Sequence, residues 1–363
     1  MKLYDTDHIK KYSKNKPPQV NNSKSKKRGF KKPFFISFFS MLLVVCLCGV
    51  FLMYGPVTYF RDLWVTTAMS TLNHQWLAQM FFDDATIAKI LASNTTLETS
   101  SETNPDEVTI TKDTVKDNAT TLPTSASDGE HIIDGVGFTK LKTSTYEGWV
   151  IRVFDPSRIS MALSQGYGSS GEKVSHMATR LGAFVGINAG GFIDVNGQGN
   201  GGKADKILIS NDKLIATGST GSHSIVGFDK AGKLLLTRCS ASGVKSLTSL
   251  YRDAVEFKPF LIVNGVSTTM EGNGGYGIQP RTAIGQTKNG TVIFVQIDGR
   301  NPPVIGATVK ELQRIFVTYG AYNAANLDGG SSSVFVYDGS VKNNPSSKDG
   351  ERFVPDAFLI RRK

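Results

Sequence analysis

The chain has 363 residues, 40% of them hydrophobic, which is enough for one large domain or two small ones with additional segments. The formal net charge of +10 is unevenly distributed. Residues 1–32 hold eleven Lys or Arg and two Asp, whereas residues 95–130 hold two Lys and eight acidic residues. Of the three cysteines, Cys46 and Cys48 lie in an apolar stretch, which excludes a disulfide framework within the C-terminal region.

The first 55 residues predict a basic tail followed by a membrane-spanning helix. Residues 1–32 are polar and basic, which is typical of a disordered cytoplasmic tail. From Phe34 to Tyr54 the chain runs for 21 residues without a charge, enough at about 1.5 Å per residue to cross a hydrocarbon core of roughly 30 Å. The run is too long for a cleaved signal peptide, and no small-x-small cleavage site follows it. We expect a single transmembrane helix over residues 33–55 of a bacterial plasma-membrane protein, with the N-terminus cytoplasmic and the C-terminal domain extracellular.

Two further segments follow the apolar run. Residues 56–93 have helical apolar spacing, which predicts a juxtamembrane helical segment lying on lipid or on the next domain. Residues 94–130 are acidic and rich in Ser and Thr, which predicts a flexible stalk. The basic tail would suit nucleic acid or anionic lipid, and its position before a membrane anchor favours lipid contact and no nucleic-acid partner.

From about His131 the sequence changes to short apolar runs broken by glycine. Hairpin signals recur in SNDKL, DKAGKL and TKNGTV. Many strands and few helices predict an α+β domain over residues 131–363, with mixed β-sheets. The predicted strands are 148–154, 183–188, 206–210, 224–228, 232–237, 259–263, 291–297 and 333–337, and the predicted helices are 171–181 and 308–319.

A strand–helix–strand unit near the C-terminus places polar residues at strand ends. The apolar strand TVIFVQI is followed by Asp298 and Arg300, and a second short strand ends at Asp328 after an intervening helix. These lengths predict a parallel crossover, which would bring the three side chains to one edge of the sheet. Ligands bind beyond the carboxyl ends of strands in such sheets, so this edge is the predicted site.

Three other stretches repeat the pattern. In INAGGF a strand ends at Asn188 before the pair Gly190-Gly191, in PRTAIG a strand follows Arg281, and in ERFVPDAFLI one follows Arg352. Taken alone, a glycine pair usually forms a turn and a single arginine usually forms a surface ion pair. Together they suit an anionic sugar derivative, because arginine matches phosphate oxygens and glycine lets backbone N–H groups approach an anion. An ionised aspartate nearby can stabilise or attack an oxocarbenium-like centre, or activate water.

The motifs INAGGF, PRTAIG, IDGR, NLDGGSSS and ERFVPDA occur in the order and spacing of the phosphodiester glycosidase family, which the chain resembles over roughly residues 140–363. The resemblance implies hydrolysis of a sugar-1-phosphodiester, of the N-acetylglucosamine-1-phosphate type, to free sugar and phosphomonoester. Ala189 stands at the first glycine position of the family pattern, Ile193 replaces its second aromatic residue, and Ser331 stands where many members have a third glycine. We expect an intact site with an altered substrate pocket.

The resemblance also implies the roles of the site residues by motif position. Asp328 would act at the anomeric centre as nucleophile or base, and Asp298 would orient Arg300 or serve as the partner carboxylate. Arg281 and Arg352 would hold the phosphate. The complete predicted set is catalytic Asn188, Asp298, Arg300 and Asp328, with substrate binding by Arg281, Arg352, Gly190, Gly191, Gly329 and Gly330.

Two other patterns suggest different chemistry. DVNGQGNGGKAD, from Asp194 to Asp205, resembles a calcium loop but ends in aspartate instead of glutamate. We favour a glycine-rich loop beside the site and no metal or cofactor, with a calcium ion as the alternative. Serines 331–333 would suggest a serine hydrolase, yet they lack the G-x-S-x-G elbow.

The favoured function is a membrane-anchored, extracytoplasmic hydrolase of sugar phosphodiesters in surface polysaccharide or wall polymer metabolism. The alternative is a non-catalytic module that binds anionic cell-wall polysaccharide during its assembly. Both would use the arginines, and both would contact the membrane through residues 34–54. They differ over Asp328, since a carboxylate opposes the binding of an anion.

Overall fold

The computed structural model describes residues 31–363, apart from residues 72, 98, 112–114, 195–198 and 219–220, and it describes no side chains for residues 31–33. Most of the predicted cytoplasmic tail, residues 1–30, therefore lies outside the described residues. The chain divides into two compact units, Met1–Phe51 and Leu52–Lys363.

The N-terminal helix has the length predicted for a membrane span. It covers Lys31–Tyr54, and its 21 residues from Phe34 to Tyr54 are the one stretch among the described residues that is long and apolar enough to cross a membrane. From Phe34 onward nearly all of its side chains are exposed. A run of Phe, Leu and Val with no polar face suits lipid on every side.

The remaining elements follow in chain order. The helices are α1 (Lys31–Tyr54), α2 (Thr58–Met69), α3 (Trp76–Gln79), α4 (Asp84–Ser93), α5 (Val174–Arg180), α6 (Leu247–Leu250) and α7 (Val309–Thr318). The strands are β1 (His131–Ile133), β2 (Val136–Lys142), β3 (Glu147–Val153), β4 (Ile159–Leu163), β5 (Ala183–Asn188), β6 (Ile207–Ser210), β7 (Lys213–Thr217), β8 (Ser222–Phe228), β9 (Leu234–Ser240), β10 (Asp253–Glu256), β11 (Phe260–Val263), β12 (Val266–Ser267), β13 (Arg281–Thr287), β14 (Val292–Ile297), β15 (Ala321–Asn326), β16 (Phe335–Tyr337), β17 (Ser340–Val341) and β18 (Asp356–Arg361).

The strands form three sheets, which confirms the α+β class. The large sheet has the order β1-β2-β3-β14-β13-β15-β11-β12, the second sheet β7-β6-β10-β8-β9 and the third sheet β17-β16-β5-β18-β4. Neighbouring strands in the described chain pair antiparallel throughout. Apolar side chains from all three sheets share one core, among them Phe138, Phe228, Phe294, Phe335 and Phe358.

The hairpin signals and the second predicted helix are confirmed. SNDKL joins β6 to β7 with Asn211 and Asp212 at φ +50° and +61°, the left-handed region that such tight turns require. DKAGKL joins β8 to β9, and TKNGTV joins β13 to β14. Helix α7 begins at a capping box between Thr308 and Glu311 and buries one apolar face against the large sheet.

The predicted parallel crossover is corrected in one respect. β14 and β15 run in the same direction, but β13 lies between them and pairs antiparallel with both. The hairpin before β14 causes this arrangement, because it places β13 beside β14 before α7 carries the chain back. The ends of β14 and β15 therefore still reach one edge of the sheet, and the start of β13 joins them there.

The prediction of a flexible stalk over residues 94–130 is wrong for much of that segment. Thr103 donates its backbone N–H to Leu236 O at 3.0 Å, and Val108 is 1% exposed. The composition of the segment reflects its exposed side chains, whereas backbone hydrogen bonds attach described residues such as Thr103 and Thr109 to the domain. The preceding helices α2–α4 form their own small apolar cluster in the same unit.

Candidate active site

The register of two sheets brings the predicted site residues together. In the large sheet Arg281, the first residue of β13, lies opposite Ile297, the last residue of β14. In the third sheet Asn188, the last residue of β5, lies opposite Ala357, the second residue of β18. Strand ends and strand starts thus meet at one edge of each sheet, and Asn188 links the two edges.

Asn188 is fully buried and holds the turn that carries Asp328. Its Nδ2 donates to the Asp328 carbonyl at 2.7 Å, while its Oδ1 accepts from Thr282 Oγ1 at 2.9 Å and from Val334 N at 3.0 Å. The Asp328 N–H in turn donates to Ala189 O at 3.0 Å. The protein itself uses the hydrogen-bonding groups of Asn188, so the structure places it as a support for Asp328.

Asp328 is partly buried directly after β15. The pKa of its carboxyl is raised to about 7, chiefly by burial; a hydrogen bond from Ser332 and the charge of Arg352 lower the pKa, and the negative charges of Asp205 and Asp356 raise it. A carboxyl with such a pKa gains and loses a proton near neutral pH, as an acid–base or nucleophilic group does.

Asp356 is a second carboxylate that belongs to this edge. It opens β18 and is fully buried, and its Oδ1 accepts the N–H of Gly190 at 2.6 Å. Within the described part of the chain its Oδ2 has no hydrogen-bond partner. Burial raises the pKa of this carboxyl to about 7, the Gly190 N–H lowers it, and the charge of Asp205 raises it.

The glycine pair lies between two carboxylates. A Cβ on Gly190 would stand 3.1 Å from Asp356 Oδ1, and one on Gly191 would stand 3.2 Å from Asp205 Oδ1. Desolvation and the charge of Glu256 raise the pKa of Asp205. Glycine is needed here because the backbone passes so close to these side chains. The N–H of Gly190 already donates a hydrogen bond to Asp356.

Gly329 and Gly330 make the turn after Asp328 equally tight. A Cβ on Gly329 would stand 2.8 Å from Pro280 O, which also accepts the Gly330 N–H at 2.9 Å. Gly330 has φ +59°, and a Cβ there would stand 3.3 Å from both terminal nitrogens of Arg300. The pair thus lets the Asp328 turn pack against the start of β13 and leaves room for the Arg300 side chain.

Arg352 anchors the glycine-rich loop beside the site. Its Nη1 contacts Asp194 Oδ2 at 2.9 Å and Ser331 Oγ at 3.3 Å, and its guanidinium lies over the ring of Phe192 at 4.7 Å. Its charge favours the ionised form of Asp328. The structure therefore brings Arg352 to the site, with part of its hydrogen-bonding capacity committed to Asp194.

The calcium alternative concerned the same loop. Residues 195–198 lie outside the described residues, and the Asp194 carboxylate accepts from both Arg352 and the Gly199 N–H. Among the described residues no group of three or more His, Cys, Asp or Glu is placed to hold a metal ion.

Arg300 also reaches the site. Its backbone has φ +60°, and its Nη2 donates to Gln279 Oε1 at 2.8 Å. Desolvation lowers the pKa of Arg300, while the charge of Asp328 raises it. The guanidinium is thus close enough to Asp328 for the two charges to interact, and Gln279 fixes its position.

The Arg281 side chain donates its hydrogen bonds to backbone carbonyls. It is 4% exposed, and it donates to the carbonyls of Ala307, Tyr276 and Gly277 at 3.0, 2.9 and 2.7 Å. Burial, and then the like charge of Arg300, lower its pKa to about 10. The structure therefore places Arg281 next to Arg300 as a buried cation that organises the loop before β13.

Asp298 has partners other than the predicted one. Its Oδ1 accepts from Gln296 Nε2 at 3.0 Å and Asn343 Nδ2 at 2.9 Å, and both of its oxygens accept from Asn344 N at 3.1 Å. Burial raises its pKa, and these hydrogen bonds lower it. The carboxylate thus holds the segment after β17, and Gln279, instead of Asp298, orients Arg300.

Residues 182–361, which contain these contacts, match the family model described as phosphodiester glycosidase. These residues belong to the phosphodiester glycosidase family. The motifs INAGGF, PRTAIG, IDGR, NLDGGSSS and ERFVPDA all fall inside the matched region, as the sequence resemblance indicated. The start of the domain at residue 131 stays a prediction.

Individual proteins of known sequence are also similar to this chain. YomE, a prophage-derived protein of Bacillus subtilis, is 31% identical over 193 residues, covering 52% of this chain and 29% of YomE. The bovine enzyme N-acetylglucosamine-1-phosphodiester alpha-N-acetylglucosaminidase is 33% identical over 69 residues, 19% of this chain and 13% of the enzyme. The match thus spans less than a third of either relative.

A solved structure shares the fold. The catalytic domain of zebrafish N-acetylglucosamine-1-phosphodiester alpha-N-acetylglucosaminidase, auto-inhibited by its pro-peptide, superposes with a TM-score of 0.52 at 22% identity. The superposition covers 63% of this chain and 82% of that one.

Two residues of this candidate site were not predicted from the sequence, Asp356 and Gln279. Asp356 stands at the start of an apolar strand in ERFVPDA, and the pattern that selected Arg281 and Arg352, a charged residue where a strand begins, would have selected it too. Gln279 lies two residues before Arg281 and has no such signal, because its role depends on contacts with distant parts of the chain.

Proposed function

We propose that the protein is a membrane-anchored glycosidase that hydrolyses a sugar-1-phosphodiester between the anomeric carbon and the phosphate oxygen. The observation that carries this proposal is the pair of carboxylates, Asp328 and Asp356, together with Arg300 and Arg352, which are both close enough to Asp328 for their charges to interact with it. Most glycosidases use two carboxyl groups in different environments for hydrolysis at the anomeric carbon.

The reaction needs little general-acid catalysis. A bond forms between water and the anomeric carbon, the bond from that carbon to the phosphate oxygen breaks, and its electron pair leaves with the phosphomonoester. The proton of the attacking water passes to a carboxylate. Because the leaving group is already acidic, positive charge from Arg300 and Arg352 would stabilise it most effectively.

The two carboxylates would have different catalytic roles. The pKa of each carboxyl is raised to about 7, and because the charge of Asp356 raises the pKa of Asp328, the two carboxyls would compete for ionisation near neutral pH. The charge of Arg352 favours Asp328 as the ionised member, which suits a nucleophile or base. Asp356 would be the partner carboxylate, the role that sequence analysis gave to Asp298.

Other features of the chain suggest where the enzyme works. An apolar helix at residues 34–54 preceded by basic residues would anchor the chain with its C-terminal domain outside the cell. The 26 basic and 18 acidic residues of 131–363 suit an anionic polymer of the surface or wall, with N-acetylglucosamine-1-phosphate as the favoured linkage.

The decisive experiment uses the full chain in detergent and heavy-oxygen water. N-acetylglucosamine-1-phosphodiesters, including UDP-N-acetylglucosamine, would be incubated with the protein and the products analysed by mass spectrometry. We expect the label in the free sugar, and we expect Asp328→Asn to abolish turnover while the exposed control Asp349→Asn retains it.

Two other outcomes would overturn the proposal. Label in the phosphate would mean cleavage at phosphorus and a phosphodiesterase. Binding of anionic wall polymer with no turnover of any diester would favour the non-catalytic module.

A further inference from the structure

The glycine-rich loop 271–279, EGNGGYGIQ, is packed against the N-terminal segment of the chain. A Cβ on Gly277 would stand 2.4 Å from Thr67 Cα, and one on Gly275 would stand 2.3 Å from Asn94 O. Such a loop in isolation suggests a phosphate cradle. Here its glycines have positive φ and admit the backbone of residues far back in the sequence.

Side chains of α2 hold this loop by hydrogen bonds. Thr66 Oγ1 accepts from Asn273 Nδ2 at 2.8 Å, and Thr67 Oγ1 accepts from Ile278 N at 3.0 Å. Thr66 is fully buried and Asn273 is 7% exposed, so little solvent competes for this contact. The last turn of α2 therefore determines the course of the loop.

The same loop supplies the acceptors for two arginines of the site. The carbonyls of Tyr276 and Gly277 accept from Arg281, and Gln279 Oε1 accepts from Arg300 at 2.8 Å. A displacement of the loop would thus move both guanidinium groups.

Gln279 connects α2 to Arg300 directly. Its Nε2 donates to Ser70 Oγ, at the C-terminal end of α2, and to Tyr276 O at 3.0 Å. A carbonyl can only accept, so this end of the amide must be the nitrogen, and the oxygen must face Arg300. An arginine side chain has many rotamers, and this fixed acceptor selects one of them.

We infer that the end of helix α2 is a positioning element of the active site, with Thr67 and Ser70 setting Gln279 and the loop, and thereby the orientation of Arg300 and Arg281. This inference rests on the proposed glycosidase function. It extends the site to residues 58–70, well before the region that matches the family model.

The test compares Ser70→Ala and Thr67→Val with the control Thr58→Val, at an exposed position of the same helix, in the full chain in detergent. The first readout needs no activity: it is the rate at which phenylglyoxal modifies Arg300, followed by mass spectrometry together with hydrogen exchange of loop 271–279. Loss of one hydrogen bond should raise both rates roughly fivefold, and Thr67→Ser should restore them. The second readout is the split between kcat and KM on a sugar phosphodiester, where we expect kcat/KM to fall roughly tenfold.

The outcomes distinguish a failure of the positioning role of α2 from a failure of the proposed glycosidase function. Unchanged modification and exchange rates in both variants would overturn the positioning role whatever the activity. Faster rates with unchanged kcat and KM would overturn it while leaving the glycosidase function intact. If the wild-type chain turned over no diester, the proposed function would fail, and the modification and exchange rates would still decide whether α2 positions Arg300.

Discussion

Asn188 donates its side-chain amide to the backbone carbonyl of Asp328 at 2.7 Å, and this contact ties the edge of the third sheet to the edge of the large sheet. The amide oxygen completes the junction by accepting from Thr282 and Val334. One buried side chain thus sets the distance between the strand that supplies Asp328 and the strands beside it.

Asn188→Ala should therefore destabilise the protein strongly. The substitution leaves three buried groups without a partner, and we expect the free energy of unfolding to fall by about 3 kcal/mol. Urea denaturation measures this, with the exposed Asn344→Ala as the control, for which we expect less than about 0.5 kcal/mol. Equal effects of the two substitutions would contradict the role assigned to Asn188.

In the proposed mechanism Asp328 acts in its ionised form, and because its pKa is about 7, the activity should rise with pH through about 7. The charge of Asp356 contributes to that pKa, so Asp356→Asn should shift the rising limb of kcat/KM to lower pH. A pH–rate profile measures the shift, and Asp349→Asn should leave the midpoint in place. A midpoint unmoved in Asp356→Asn would show that the two carboxylates do not interact.

Asp356 should also make stability depend on pH. Its pKa is about 7 in the folded state against the ordinary 3.8, so the folded state keeps a proton that the unfolded state releases. Its contribution is fully present below about pH 4 and is lost as the pH rises to 7, by an amount on the order of 4 kcal/mol.

Asp356→Asn removes this titration while keeping an oxygen acceptor for Gly190. Relative to wild type, the variant should gain stability between pH 4.5 and pH 8, measured by urea unfolding at both values. A difference in stability that stays constant across this range would mean that Asp356 titrates normally.

Arg352→Lys should lower kcat/KM by about tenfold, mainly through KM. Lysine keeps the charge but loses the planar fork, of which Nη1 contacts Asp194 and Ser331 and Nη2 contacts Gly199 O, and it loses the stacking on Phe192. The exposed Arg362→Lys is the matched control, since that arginine also lies over an aromatic ring. Steady-state kinetics of both variants would decide, and equal activities would remove Arg352 from phosphate binding.

A chain that begins at residue 131 should fold poorly and lack activity, whereas one that begins at residue 56 should retain both. The shorter piece loses the α2 side chains that hold the loop before Arg281, as well as the backbone contacts of the segment around Thr103. Thermal unfolding and turnover of the two pieces test this. Full activity of the shorter piece would mean that residues 131–363 are a self-sufficient domain.

The sequence by itself determined the local features of this protein. The charge-free run from Phe34 to Tyr54 is long enough to span a membrane, and tight-turn residues such as Asn211 and Asp212 specify hairpins through their own backbone preferences. The motifs beside strands pointed to Asp328 and Arg352, because residues that closely follow or precede a buried strand must emerge at the edge of its sheet. These features depend on neighbours within a few residues, which a linear pattern records.

Only the tertiary structure decided which partners those residues contact. Asp298 binds the segment at residue 344, Arg281 serves three carbonyls, and β13 inserts between two strands that a local pattern pairs directly. Ser70 and Gln279 are 209 positions apart, yet their contact orients Arg300. Such roles arise when packing brings distant groups together and burial changes their charge, and no spacing along the chain encodes either event.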